Sequence, residues 1–159
     1  MSITIRAAER ADTATILRFV RELAAFEREP DAVVATEPML EAALFGERPA
    51  AEAVIAERDG QAVGFALFFA NFSTWTGRQG LYLEDLYVTP SARGGGVGKA
   101  LLVHLAGTAR DRGWGRFEWS VLDWNTPAVE FYRAMGARAM DEWTVQRVSG
   151  EALARLAGR

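Results

Sequence analysis

The amino-acid sequence predicts a mixed α/β fold built as a single domain over residues 1–159. Half of the residues are hydrophobic, which is enough material for one core in a chain of this length. Helix-type and strand-type patterns follow one another without a linker, a repeat or a low-complexity tract. A run with four glycines in the five positions 94–98 separates a strand-type segment from a helix-type segment. These observations place a strand, a glycine turn and a helix at the centre of the fold.

The first segments predict one strand and two helices. Residues 3–8, ITIRAA, alternate between apolar and polar side chains, as a short strand does. After Asp12, apolar residues recur with the helical period and predict a helix capped by that residue. Thr36 is the expected N-cap of a second helix, which ends at Gly46.

The middle of the chain predicts three strands and a long helix. Residues 51–72 predict two strands joined by the hairpin signal Asp59-Gly60. A fourth strand is expected over 79–90, and an amphipathic helix over 96–113.

The last part predicts a fifth strand, a short helix and one or two final strands. The fifth strand is expected over 116–124, and the helix begins with Thr126 as its N-cap. Alternation over 137–148 predicts the final strands, so the expected sheet has six to seven strands flanked by helices.

Composition limits the chemistry and the partners. The chain has no cysteine and a single histidine, His104, so we expect no disulfide and no metal site. No run of about 18 apolar residues occurs, and the N-terminus lacks an export-type segment, so we expect a cytoplasmic protein without membrane contact. The net charge of −3, with both signs mixed along the chain, argues against nucleic acid and permits a cationic partner.

The glycine run has two interpretations. A glycine-rich turn before a helix can cradle a phosphate, because the helix start offers unpaired N–H groups and no Cβ blocks the approach. The alternative is a tight turn that only requires positive φ. Two common motifs are excluded: a P-loop would need glycine at Arg93 and a hydroxyl residue at Ala100, and no choice of three glycines fits the dinucleotide pattern G-x-G-x-x-G.

The pattern that fits is R-x-x-G-x-G, formed by Arg93, Gly96 and Gly98. It resembles the acetyl-CoA signature of the GCN5-related N-acetyltransferases. Further segments resemble the diamine branch of that superfamily, which acts on polyamines and thialysine: ELAAFERE, WTGRQGLYLEDLYV, RGGGVGKALL and DWNTPAVEFYRAMGA. The resemblance extends from about Ile3 to about Val148.

The resemblance implies a central mixed, mostly antiparallel twisted sheet in which a splayed pair of parallel strands holds coenzyme A. A bulge is expected to separate the fourth and fifth strands. The pyrophosphate would lie on the backbone amides of 94–99, and the pantetheine arm along the strand edge. The residues expected at acetyl-CoA are Leu86, Tyr87, Val88, Arg93, Gly94, Gly95, Gly96, Val97, Gly98, Lys99, Asn125, Ala128 and Tyr132.

Acetyl transfer to an amine needs a base for the ammonium and a proton for the departing thiolate. The resemblance assigns the base to Glu84 and the acid to Tyr132. In a regular strand Glu84 and Asp85 point to opposite faces, so at most one faces the acceptor. On a helix, Asn125 and Tyr132 lie two turns apart on one face. The alternative for Tyr132 is a core aromatic beside Phe131.

The acceptor site is the least specified part. Acidic residues at Glu27, Glu29 and Asp31 and the aromatic ring of Trp75 suit a cationic amine, although a solvated acidic loop explains the acids equally well. The substrate-binding residues expected are Glu27, Trp75, Glu84, Asp85 and Glu142. We expect a small-molecule amine as partner and a homodimer as assembly.

Three other functions compete with this interpretation. The nearest is an acetyltransferase for protein amino groups or for an amino acid. A non-catalytic acyl-CoA module would not need Glu84 and Tyr132, and an unrelated phosphate-binding fold would leave the segment WNTPAVEFY unexplained.

Overall fold

The computed structural model describes residues 2–158, which form two compact units, one up to Ser120 and one from Val121 onward. The first unit contains β1 (Ile3–Ala7), α1 (Thr13–Phe26), α2 (Glu37–Phe45), β2 (Glu52–Arg58), β3 (Gln61–Ser73), β4 (Arg78–Val88), α3 (Val97–Asp111) and β5 (Phe117–Trp119). The second unit contains α4 (Thr126–Ala134) and α5 (Gly150–Leu156).

The strands form one mixed sheet in the order β1-β2-β3-β4-β5. Every neighbouring pair is antiparallel except β4 and β5, which run parallel and are connected by α3. The predicted mixed, mostly antiparallel sheet is therefore confirmed. The expected count of six to seven strands is wrong, because residues 2–158 contain five.

Two local signals, the Asp59-Gly60 turn and the Thr36 cap, gave accurate boundaries. Asp59 and Gly60 both have positive φ, 54° and 77°, as the two central residues of a type I′ hairpin turn require. The Met39 N–H donates to Thr36 Oγ1 over 3.3 Å, so Thr36 caps α2 as predicted.

A β-bulge at Glu84 changes the faces of β4. Asp85 pairs with Leu67 while Leu83 pairs with Phe68, so Glu84 is the extra residue without a partner on β3. Cross-strand partners share a face of the sheet. Leu83 therefore lies on one face and Asp85 on the other, although regular alternation would place both on the same face.

Helices cover both faces of the sheet. On one face, α1 and α2 pack on the inner residues of β2, β3 and β4, in a cluster that includes Ile16, Phe19, Leu44, Ile55, Phe65, Leu67 and Tyr87. On the opposite face α3 packs against β3 and β4 through its buried residues Val97, Leu101, Leu102, Leu105 and Ala109. Asp85 and Tyr87 pair with Leu67 and Phe65 and so belong to the α1 face.

The fifth strand, predicted over 116–124, is shorter in the structure, where β5 spans Phe117–Trp119. Its parallel ladder with β4 ends at the pair Leu83–Trp119, next to the bulge at Glu84. A bulge bends its strand and increases the local twist. The two strands therefore separate after three paired residues.

The second unit differs from two further predictions. Asn125 rather than Thr126 is the N-cap of α4, and its carbonyl accepts the first helical bond from the Val129 N–H over 3.0 Å. The final strands predicted over 137–148 are wrong, since no strand of residues 2–158 pairs with this segment. The alternating apolar residues of this segment are exposed, Val145 by 80%. They therefore do not form the buried face that a strand needs. The short helix expected near the C-terminus is present as α5.

Within residues 2–158, no helix combines the length and the apolar character needed to cross a bilayer.

Candidate active site

The C-terminal half of β4 carries an unpaired edge. After Leu83, β4 has no strand partner on the β5 side among residues 2–158. The Thr89 N–H donates to Val63 O over 2.8 Å, and hydrogen-bonded positions alternate along an antiparallel pair. The peptide groups of Leu86 and Val88 therefore point away from β3, toward the open side, whereas the Tyr87 peptide faces β3. An extended amide-containing chain fits such an edge.

Arg93 fixes the end of this edge. Its Nε donates to the Val88 carbonyl oxygen over 3.0 Å. Its guanidinium lies 5.3 Å from the ring centroid of Phe26 and 5.6 Å from that of Tyr87. Arg93 thus holds the end of β4 against the last turn of α1 and carries a positive charge beside the glycine loop.

The glycine loop is shaped for close approach. Gly94 and Gly96 have φ of 80° and 87°, and a Cβ at either position would meet no atom within 4 Å. Gly96 is the N-cap of α3, whose first turn closes through the Ala100 N–H to Gly96 O bond of 2.9 Å. The N–H groups of the first helical turn have no acceptor within the helix and are available to a ligand. Of the predicted loop residues, Val97 is 1% exposed, so only its backbone is available to a ligand.

Three carboxylates near the bulge interact through their charges: Glu27, at the end of α1, with Glu84 and Asp85. We call them the carboxylate cluster. Burial raises the pKa of Asp85 to about 6, with further contributions from the negative charges of Glu84 and Glu27. Burial and the charge of Glu84 also raise the pKa of Glu27. The expectation that only one of Glu84 and Asp85 faces this region came from regular alternation, which the bulge interrupts.

Tyr87 joins β4 to α1 behind the cluster. Its hydroxyl donates to Glu22 Oε1 over 3.0 Å, and its ring lies 5.7 Å from the ring of Phe19. The side chain is only 5% exposed. Burial raises the pKa of Tyr87, and the hydrogen bond and the charge of Glu22 act in the same direction. The Tyr87 phenol therefore stays protonated at physiological pH and continues to donate this hydrogen bond.

Sequence-based reasoning did not identify Glu22 and Phe26 near this site. A signal was present, because Phe19, Glu22 and Phe26 are spaced i, i+3 and i+7 and so share one face of α1. That face meets Tyr87 and Arg93.

In the second unit, four residues of the α4 region form a half-buried stripe: Asn125, Ala128, Val129 and Tyr132. Their spacing of i, i+3, i+4 and i+7 places them on one side of the helix, while the residues between them are mostly exposed. The predicted acetyl-CoA residues of this unit, Asn125, Ala128 and Tyr132, therefore share one side of the α4 region.

One predicted acceptor residue, Trp75, lies far along β4 from the carboxylate cluster. Trp75 lies in the turn before β4, 80% exposed, with Arg116 at 6.0 Å from its ring centroid. Six residues of strand, roughly 20 Å, separate the start of β4 from Glu84. Glu29 and Asp31 are exposed beyond the end of α1, and Glu142 is exposed in the irregular segment after α4.

Among residues 2–158, no three acidic, histidine or cysteine side chains are arranged to hold a metal ion.

Comparison with known proteins places this geometry in a family. Residues 17–137 match the Acetyltransferase (GNAT) family. The thialysine N-epsilon-acetyltransferase of Sus scrofa is 41% identical, and the alignment covers 99% of each chain. The human spermidine/spermine N(1)-acetyltransferase-like protein 1 is 34% identical over 96% of this chain and 23% of its own length.

A solved structure of the same architecture extends the comparison over the whole chain. An integron cassette protein from the mobile metagenome of V. cholerae superposes with a TM-score of 0.83 and 28% identity, covering 100% of this chain and 99% of its own. The predicted fold and family are confirmed: this chain belongs to the GNAT family and is an N-acetyltransferase of the diamine acetyltransferase branch.

Proposed function

We propose that this enzyme transfers the acetyl group of acetyl-CoA to a primary amine of a small cationic acceptor of the lysine or polyamine type. The observation that carries the proposal is the carboxylate cluster beside the unpaired edge of β4. The names of the relatives, a thialysine and a spermidine/spermine type of acetyltransferase, support the same acceptor class.

The donor site fits coenzyme A in its chemistry. Members of this family take their acetyl group from acetyl-CoA, which supplies it as an activated thioester. The N–H groups at the start of α3 and the open space at Gly94 and Gly96 suit the pyrophosphate. The peptide groups of Leu86 and Val88 suit the amides of the pantetheine arm. A backbone N–H near Tyr87 is expected to stabilise the oxyanion, and we propose the Leu86 N–H for this role because it points to the open side.

The carboxylate cluster has two tasks in this proposal. An alkylammonium with a pKa of about 10.4 must lose a proton before it can attack a carbonyl carbon. Glu84 is the proposed base, directly or through a water molecule. Glu27 and Asp85 add negative charge, which attracts a cationic acceptor and stabilises the second ammonium group, the one that does not react.

Burial raises the pKa of Asp85 to about 6. A carboxyl group with this value changes its charge near neutral pH, and a bound ammonium would favour its ionised form. We therefore assign Asp85 to acceptor binding next to Glu84, as expected from the sequence.

Tyr132 is the proposed general acid for the departing thiolate. Its phenol protonates a thiolate without a covalent enzyme intermediate. Asn125 and Ala128 lie on the same face of α4 and are proposed to contact the pantetheine arm.

We further propose that the whole chain acts as one catalytic domain and assembles as a homodimer. The family match from 17 to 137 includes parts of both compact units. The second unit exposes large apolar side chains, among them Met140, Val145 and Leu156, which suit a protein contact. Sedimentation velocity tests the dimer directly.

The experiment that tests the proposed activity is a panel of amines with acetyl-CoA, read as release of free thiol. The panel contains lysine, a polyamine, a monoamine and a short peptide with a free N-terminus. We expect turnover with the first two and little with the others. Preferred turnover of the peptide would instead support an acetyltransferase of protein amino groups.

A further inference from the structure

Arg58, the last residue of β2, is half-buried, and its guanidinium group lies against the glycine loop. A Cβ at Gly95 would lie 2.9 Å from Arg58 Nη1, so the guanidinium lies beside the loop backbone. The approach is a tertiary one, since 37 positions of chain separate the two residues.

The ion pairs of residues 2–158 leave this guanidinium without a carboxylate. Arg6 is paired with Asp12 and Glu57, and Arg112 is paired with Glu52, each at 2.7–2.8 Å. No carboxylate of the described chain lies within 4.0 Å of Arg58. A guanidinium without a carboxylate partner is available to bind an anion.

The strand register explains why Arg58 reaches the loop. Ala56 pairs with Gly64, where a Cβ would lie 3.4 Å from Val97 Cγ1, so this face of the sheet is the one that α3 covers. Arg58 is two residues beyond Ala56 and shares its face. The side chain therefore extends toward the start of α3 rather than toward α1.

We propose that Arg58 binds a phosphate group of the acetyl-CoA donor. The inference rests on the proposed function, because it assigns a further residue to the same donor site. A guanidinium matches phosphate oxygens with two parallel donors, and such charge-assisted bonds are about twice as strong as neutral ones. Coenzyme A offers two phosphate sources, its pyrophosphate and its 3′-phosphate.

Calorimetric titration with acetyl-CoA and with 3′-dephospho-acetyl-CoA tests the assignment and distinguishes the sources. Arg58→Gln should weaken acetyl-CoA binding about 10-fold, the loss typical of a charged hydrogen bond. A loss confined to acetyl-CoA assigns Arg58 to the 3′-phosphate, and an equal loss with both ligands assigns it to the pyrophosphate.

Arg48→Gln is the matched control. Arg48 is exposed just before β2 begins, so the length of the strand, roughly 20 Å, separates it from Arg58. This variant removes the same charge and should bind acetyl-CoA as the wild type does. The salt dependence of acetyl-CoA affinity distinguishes a direct charge contact from a role in supporting the loop. If Arg58 contacts the phosphate, the affinity of Arg58→Gln should depend less on salt than that of the wild type. If Arg58 only supports the loop, the two salt dependences should be the same.

Gly95→Ala provides a second, independent route. Its φ is not positive, and the atom in the way is the end of a flexible side chain, so the fold should tolerate the methyl group while Arg58 is displaced. We expect Gly95→Ala to weaken binding in the wild type and to add little in the Arg58→Gln background. An equal loss in both backgrounds would contradict the role of Arg58.

Two failures remain distinguishable. If the wild type binds acetyl-CoA and Arg58→Gln binds it equally well, the assignment of Arg58 is overturned and the proposed function stands. If the wild type does not bind acetyl-CoA, the proposed function is overturned and this inference with it.

Discussion

The hydroxyl of Tyr87 in β4 donates a hydrogen bond of 3.0 Å to Glu22 in α1. The bond connects the strand that carries the open edge to the helix that carries Glu27, so the two sides of the candidate acceptor site are tied together. Because Tyr87 is buried and its acceptor is charged, the bond is of the kind that contributes measurably to stability.

Tyr87→Phe should lower the free energy of unfolding by about 1–2 kcal/mol, since it leaves a charged acceptor without its donor. Urea denaturation followed by fluorescence measures the change. Tyr82→Phe is the control, because the Tyr82 hydroxyl bonds Ser120 Oγ at an exposed position. If both variants lose the same free energy of unfolding, the Tyr87 bond contributes no more to stability than the exposed Tyr82 bond does.

Gly96→Ala should weaken acetyl-CoA binding at least 10-fold, because a methyl group would occupy the open space beside the proposed phosphate cradle. Positive φ makes alanine costly by about 1 kcal/mol, an effect that must be separated from binding. Gly113→Ala supplies that control, since Gly113 also has positive φ, 72°, and open space at its Cβ. Calorimetry should find lost affinity in Gly96→Ala alone; equal affinities would contradict the cradle.

Tyr132→Phe should reduce kcat by roughly 10²- to 10⁴-fold while acetyl-CoA affinity changes little. The ring is kept, and only the proposed proton donor is removed. Single-turnover kinetics and calorimetry measure the two quantities on the same preparation. Full turnover by this variant would return Tyr132 to a packing role beside Phe131.

Asp85→Asn should stabilise the ligand-free protein at pH 8 and have little effect on stability near pH 4. The pKa of Asp85 is about 6 in the fold, above its ordinary value of 3.8. The native state thus favours the protonated form, and the stability that this form contributes is complete below pH 3.8 and lost as the pH rises through 6. The stabilisation by asparagine should therefore grow across that interval.

Urea denaturation at several pH values between 4 and 8 measures this prediction. Asp59→Asn removes an equal charge at an exposed hairpin turn and serves as the control. A stabilisation by Asp85→Asn that is the same at pH 4 and pH 8 would contradict the raised pKa.

The sequence was most informative where structure is local. Asp59-Gly60 specifies its hairpin turn because both residues accept positive φ. Gly96 marks the start of α3 for the same reason. These signals depend on neighbouring residues alone, so pattern and turn chemistry suffice to locate them.

The sequence was least informative where two distant segments set the geometry. The bulge at Glu84 arises from the register between β3 and β4, and no residue type in YLEDLYV requires it. The approach of Arg58 to Gly95 depends on the strand order as well as on local pattern. Over 137–148 a strand-like alternation is present without a partner strand, so the pattern alone predicted too much.

The central claim is that the carboxylate cluster selects an acceptor with a second positive charge. The most direct test compares kcat/KM for 1,4-diaminobutane and for butylamine, which share a chain length and differ in the second amine. We predict a ratio well above one at low salt, falling as salt screens the attraction and falling in Glu84→Gln. A ratio at or below one for the wild type would contradict the claim.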